Sequence, residues 1–257
     1  MPLKTAFAQS INSVAVRLGQ EVGISHIAET AHNMGIVSPL DETPSLALGS
    51  SDVNLLELTN AYCTIAANGK THPDPILITR IEDHKGNVIY TAPTEQRQSI
   101  SERAAVLMQT MLMAGLTEHN GTSMALNRYV GNYHDTDFGG KTGTSNNHSD
   151  AWFMGVSPKL VVGAWVGGEY RCIHFRTGAL GQGSRTALPI CGLFFEKVMA
   201  DKRFSNYHAH FVKDPMLLES YMYDCSYVHQ ARPDTLSADT LDIEEVLGEE
   251  DVTFENI

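Results

Sequence analysis

Long apolar runs, a basic excess and paired cysteines are all missing from this 257-residue sequence. No stretch approaches the roughly 18 consecutive apolar residues of a membrane-spanning helix, and no basic-then-apolar leader opens the chain. The sequence as given is therefore expected to carry neither a span nor a secretory signal. Lysine and arginine number 18 against 30 acidic residues, a formal net charge of -12, which leaves no basic stripe for nucleic acid. Cys63, Cys172, Cys191 and Cys225 have no short paired spacing, so neither a zinc site nor a disulfide framework is indicated. Buried free thiols are the expectation. Histidines, cysteines and acids fall into no ligand spacing, and there is no internal repeat or low-complexity tract.

The composition that remains is ordinary for a soluble globular protein, but its charge is uneven. Asp214 to Ile257 holds twelve acids and one base, Arg232, so the body before it is almost neutral, about -1. The length suits one good core plus an appendage. The expected division is a folded domain over 1–200 and an acidic tail, partly disordered, over 201–257.

Apolar periodicity outlines the elements. Phe7, Ile11, Val14, Leu18 and Val22 fall at helical spacing. Ser10 and Asn12 interrupt that run, and such residues prefer caps to helix interiors, so a helix, a break at 10–12 and a second helix are expected. Whether Asn12 merely caps the second helix stays open at this point. A short helix follows at Ser25 to Asn33, then a longer one from Asp52 to Asn68 with a Leu55, Leu58, Tyr62 and Ile65 stripe and a stop at Asn68-Gly69. Ile76 to Glu82 and Val88 to Thr91 read as a hairpin. Ser99 and Glu102 form a capping box for a helix to about Gly115 that faces the core with Leu107, Met111 and Ala114. Strands follow at Ala151 to Val156 and Leu160 to Val166, then a glycine-rich loop from Thr177 to Ser184. Pro189 opens a covering helix.

The stretch that organises this layout is Phe138-Gly139-Gly140-Lys141-Thr142-Gly143-Thr144-Ser145. It reads as the edge strand of an antiparallel sheet, with glycines that let another backbone lie close and receive a peptide by strand addition. Thr142 and Thr144 share a face, where two hydroxyls and one ammonium would hold a carboxylate. Taken alone, the same residues also suit an ordinary edge-strand lysine that discourages aggregation.

Ser10-Ile11-Asn12 and Lys141-Thr142-Gly143-Thr144 resemble, in the right order, the Ser-x-Asn and Lys-Thr-Gly elements of the penicillin-binding transpeptidases. The resemblance extends over Ala6 to Gly23, Leu48 to Gly69 and Gly139 to Gly167, with Asp150-Ala151-Trp152-Phe153 and Trp165-Val166-Gly167, and is to the bifunctional class A peptidoglycan synthases. It implies an α+β fold of the penicillin-binding and serine β-lactamase type, an antiparallel sheet flanked by helices plus a helical subdomain. It also implies catalytic roles for Ser10, Asn12, Lys141 and Thr144, and substrate contacts from Thr142, Gly143, Thr144 and Ser145. The expected ligand is a peptidoglycan stem peptide or a β-lactam, with no metal, no cofactor and no nucleic acid.

One element of that family is absent. No serine in this sequence is followed by lysine at the third position, so the Ser-x-x-Lys nucleophile is expected to precede Met1. The chain then resembles the C-terminal portion of a transpeptidase domain, its fold N-terminally incomplete, with the family's membrane anchor further upstream and its substrate on the extracytoplasmic face. Two other readings stand beside it: a non-catalytic remnant that binds peptides or partners, and a serine β-lactamase or D,D-carboxypeptidase.

Overall fold

The computed structural model describes residues 1–71, 75–93 and 95–212. Most of the acidic segment, with Cys225, lies outside the described residues. In chain order come α1 (Leu3–Ala8), α2 (Asn12–Val22), α3 (Ile24–Asn33), a 3-10 turn at Pro44–Leu48 and α4 (Leu55–Ala66). Four short strands follow, β1 (Lys70–Thr71), β2 (Arg80–Glu82), β3 (Val88–Thr91) and β4 (Arg97–Gln98). Then come α5 (Glu102–Thr117), a 3-10 turn at Met124–Leu126 and α6 (Asn127–Val130). The principal sheet is β5 (Gly139–Thr144), β6 (Asp150–Ser157) and β7 (Leu160–Gly167). After it stand α7 (Gly178–Gly181), α8 (Ala187–Ala200) and a 3-10 stretch at Lys202–Tyr207.

The sheet is antiparallel in the order β5-β6-β7, and neither outer edge has a strand partner among the described residues. Its register sets Lys141 opposite Met154 and Thr144 opposite Ala151. Alternation along β6 divides the molecule into two cores. Phe153 faces α8 and packs with Leu188, Cys191 and Phe195, where Phe138 meets Phe195 edge-on at 5.4 Å. Val156 faces the opposite way, toward Ile65 of α4 and Leu112 of α5. The sheet is thus the middle layer between two sets of helices, each burying one apolar face.

Several expectations need correction. Ser101, not Ser99, caps α5: its hydroxyl accepts from the Ala104 N–H at 3.2 Å, while Ser99 is drawn toward the α4 terminus, its N–H donating to Gly69 O at 2.9 Å. The buried face of α5 runs through Ala105, Val106, Gln109, Leu112, Ala114 and Leu116; of the three residues expected there Ala114 is buried, while Leu107 and Met111 are half-buried. Of the α4 stripe only Ile65 is fully buried, beside Ala61 and Thr64. The hairpin becomes strand only at Arg80, and the glycine-rich loop contains α7. Cys191 is buried, but Cys63 and Cys172 are exposed. Residues 201–212, read as the start of the tail, return to the body: Phe211 is buried against Leu112 and Val156, and its N–H donates to Asp137 at 2.9 Å.

Candidate active site

The break between α1 and α2 places the first functional side chain. Ser10 adopts φ 58, a left-handed conformation uncommon for a residue with a Cβ, and the Ser10 and Ile11 N–H groups close the turn on Phe7 O and Ala6 O, each at 3.0 Å. Asn12 is the first residue of α2 and not its cap; the cap position is Ile11, which offers no side-chain hydrogen bond. The capping alternative for Asn12 is thereby removed. Its carboxamide is exposed.

Ties from α1 to the end of α5 hold that turn over the sheet. Lys4 pairs with Glu118 at 2.9 Å and the Thr5 hydroxyl donates to the same carboxylate at 3.1 Å. The Gln9 amide donates to His119 O at 2.9 Å, and the Thr122 N–H donates to Ala8 O at 2.9 Å. Together they carry Ser10 to the middle of β5, 131 residues away in sequence.

There the Lys141 ammonium donates to Ser10 Oγ at 2.8 Å and to Thr142 O at 3.0 Å. It lies 5.9 Å from the Phe7 ring centroid and has no carboxylate partner among the described residues. Burial, which disfavours an uncompensated charge, lowers its pKa from 10.5 to about 8. A group so placed gives and takes protons near neutral pH, and Ser10 is positioned to share them.

The threonines are engaged less symmetrically. The Thr142 hydroxyl donates to Thr122 Oγ1 at 2.8 Å. Thr144 Oγ1 accepts from the Gly183 N–H at 3.1 Å, which keeps its own proton available for an anion. Ser145 is spent on the β5–β6 turn: its hydroxyl accepts from the Asp150 N–H at 2.9 Å and lies within 3.1 Å of Asn147 Oδ1. The structure therefore brings Ser10, Lys141 and Thr142 together, sets Thr144 one step along the same strand, and leaves Asn12 and Ser145 without a hydrogen bond to any of them.

The glycines before Lys141 serve the fold more than a ligand. A Cβ at Gly140 would come within 2.6 Å of the Phe153 ring and 3.0 Å of Met154 O, and one at Gly139 within 2.9 Å of the Leu112 backbone. They let α5 and β6 close on β5. At Gly143 a Cβ would meet only the Trp152 side chain, at 3.1 Å. Sequence reasoning missed Phe7, Thr122 and Gly183, whose parts here arise from long-range contacts that no local motif signals.

Residues 1–166 match the model of the penicillin binding protein transpeptidase domain. Penicillin-binding protein 2D of Bacillus subtilis (strain 168) is 35% identical over 167 residues, which is 64% of this chain and 24% of that protein. Penicillin-binding protein 1A of Aquifex aeolicus (strain VF5) is 35% identical over 189 residues, 73% of this chain and 24% of its own length. The chain thus spans about a quarter of the curated relatives it matches. The crystal structure of penicillin-binding protein 1A from Haemophilus influenzae superposes with a TM-score of 0.73 at 24% identity, covering 84% of this chain and 36% of that one, so the fold is that of a penicillin-binding transpeptidase domain.

Proposed function

The chain belongs to the penicillin-binding protein transpeptidase family, and from that premise we propose that it forms the carboxylate-binding and proton-relay half of a peptidoglycan D,D-transpeptidase. The observation that carries this reading is the half-buried Lys141 ammonium donating to Ser10 Oγ at 2.8 Å. Its proposed substrate is a stem peptide ending in D-alanyl-D-alanine, or a β-lactam in its place, met on the extracytoplasmic face of the membrane. The proposed division is a transpeptidase body that takes in the returning segment 201–212, followed by an acidic tail.

In this reading the reaction is acyl transfer through a serine ester. Lys141 and Ser10 pass a proton toward the departing amine of the terminal D-alanine, and the lowered lysine pKa brings that transfer within reach at neutral pH. Asn12 orients the substrate amide from the mouth of α2. Thr142 and Thr144 hold the terminal carboxylate, with Gly143 between them keeping the strand face low. As the substrate arrives, the Thr142 proton turns from Thr122 to the carboxylate and Thr122 donates in its place, each bond strengthening the next. The Thr144 N–H supplies half of an oxyanion hole, and Ser145 holds the turn that aims it. The seryl nucleophile has no Ser-x-x-Lys candidate in this sequence.

Two measurements test the reading. Intact mass of the chain after incubation with benzylpenicillin is expected to show no covalent adduct; a stoichiometric adduct would reveal a nucleophile the reading denies. An N-acylated peptide ending in D-alanyl-D-alanine is expected to bind by calorimetry, weakly, and its C-terminal amide about tenfold more weakly, since one charge-assisted contact of roughly 1.5 kcal/mol is lost. Equal binding of acid and amide would refute the carboxylate assignment.

A further inference from the structure

The turn that follows α5, residues 118–123, is bonded to both halves of the candidate site. It is short and tightly held. Asn120 takes a left-handed φ of 59, and at Gly121 a Cβ would strike Gly115 O, so the chain folds back flush on the end of α5. Ser123 is fully buried. Its N–H donates to Gly115 O at 3.2 Å and its hydroxyl donates to Gly140 O at 2.9 Å, which fastens the turn to β5 one residue before Lys141. Thr122 stands beside these anchors and reaches in two directions. Its main-chain N–H donates at 2.9 Å to the carbonyl of Ala8, the last residue of α1, two positions before Ser10. Its side-chain Oγ1 accepts from the Thr142 hydroxyl at 2.8 Å, while its own hydroxyl hydrogen has no acceptor among the described residues.

Given the carboxylate subsite proposed at Thr142, we propose that Thr122 is a positioning residue that couples occupancy of that subsite to the turn carrying Ser10. The contacts form a continuous chain: the ligand carboxylate, Thr142 Oγ1, Thr122 Oγ1, the Thr122 N–H and Ala8 O. In the free chain the Thr142 hydrogen is spent on Thr122. A bound carboxylate takes that hydrogen and leaves Thr142 Oγ1 open to the uncommitted hydrogen of Thr122. The Thr122 side chain, which only accepted before, is then held as a donor in a polarised chain. Its main-chain bond to Ala8 O opens less often as a result, and the end of α1 is steadied with it. Coupling of this kind is reciprocal, so steadying the end of α1 also favours the carboxylate. Thr122 acts through Thr142 on one side and through Ala8 on the other. Valine has the shape of threonine and keeps the main-chain N–H, so Thr122→Val removes the first arm alone.

The test uses the full chain with an N-acylated peptide ending in D-alanyl-D-alanine and with its C-terminal amide, read by calorimetry and by amide hydrogen exchange. The wild type should bind the acid about tenfold more tightly than the amide; equal binding overturns the carboxylate assignment and the coupling together. Thr122→Val should cut that preference about threefold, the scale of one neutral hydrogen bond, and Thr122→Ser should restore it. With Thr142→Val in place, adding Thr122→Val should lower the preference no further, as a side chain acting only through Thr142 requires. The Thr122 N–H should exchange about threefold more slowly with the acid bound, and at its free rate with the amide bound to the same saturation. A merely structural threonine produces no such difference. A preference that survives Thr122→Val, additive effects of the two valines, or exchange at Thr122 indifferent to the acid overturns the coupling and leaves the carboxylate assignment standing.

Discussion

Replacing Lys141 by methionine keeps the length of the side chain and removes its charge, and the consequence should depend on pH in a direction the structure dictates. The folded ammonium titrates near 8 against an ordinary 10.5. Between those values the unfolded chain holds a proton that the folded chain has released, so wild-type stability rises with pH across that window. Below it the cost of burying the ammonium is fully present; above it the cost is gone. The gap corresponds to on the order of 3 kcal/mol at about 1.4 kcal/mol per pH unit. The methionine variant has no such group, so its stability relative to wild type should be greatest at pH 7 and fall by that amount as pH passes through the window. Urea unfolding of both proteins at several pH values measures the difference directly. Tyr62, pushed up to about 12 by burial, is common to both and cancels. Two pH profiles that run parallel would refute the claim that desolvation governs Lys141.

Three further outcomes follow from the packing. Ser101→Ala should cost about 1 kcal/mol through loss of the α5 cap, while Ser99→Ala should be neutral or stabilising, because the Ser99 hydroxyl is buried without a hydrogen-bond partner among the described residues and leaving such a group out removes a desolvation cost; paired denaturant melts separate the two. Gly140→Ala should lose about 2 kcal/mol, since its methyl would sit 2.6 Å from the Phe153 ring, and a thermal scan would register the drop. In a Cys225→Ser background, Cys172 should react with a disulfide reagent before Cys63, a residue exposed overall but whose thiol is desolvated by its neighbours and so pushed up, and well before Cys191, pushed up to about 12, which should react only on unfolding.

How much of this was readable beforehand depends on the range of the interactions involved. The break at Ser10, the stop at Asn68-Gly69 and the three consecutive strands follow from local preferences: left-handed φ values at Ser10, Asn68 and Gly69 and period-two alternation along β6 and β7. The cap of α5 was legible only to within two residues, because Ser99 and Ser101 both satisfy the local rule and the contact of Ser99 with Gly69 decides between them. Motif order brought Ser10 and Lys141 into one site through family resemblance, not through anything local, since the contact spans 131 residues. Thr122 beneath Thr142, Phe7 beside Lys141 and the return of Phe211 to the second core are products of tertiary packing. The same is true of Gly139 and Gly140. Their position beside a reactive lysine suggested room for a ligand, whereas the space they leave is filled by Leu112 and Phe153.

The central claim is that Lys141 and Ser10 form a proton relay next to a carboxylate site, and the most direct test is to titrate Lys141 by carbon-detected NMR of its ε-methylene, with and without a peptide ending in D-alanyl-D-alanine. The account predicts a midpoint near 8 in the free chain, moving upward when the bound carboxylate favours the ammonium, and no upward movement with the peptide amide. A midpoint at the ordinary lysine value, unmoved by the peptide, would contradict it.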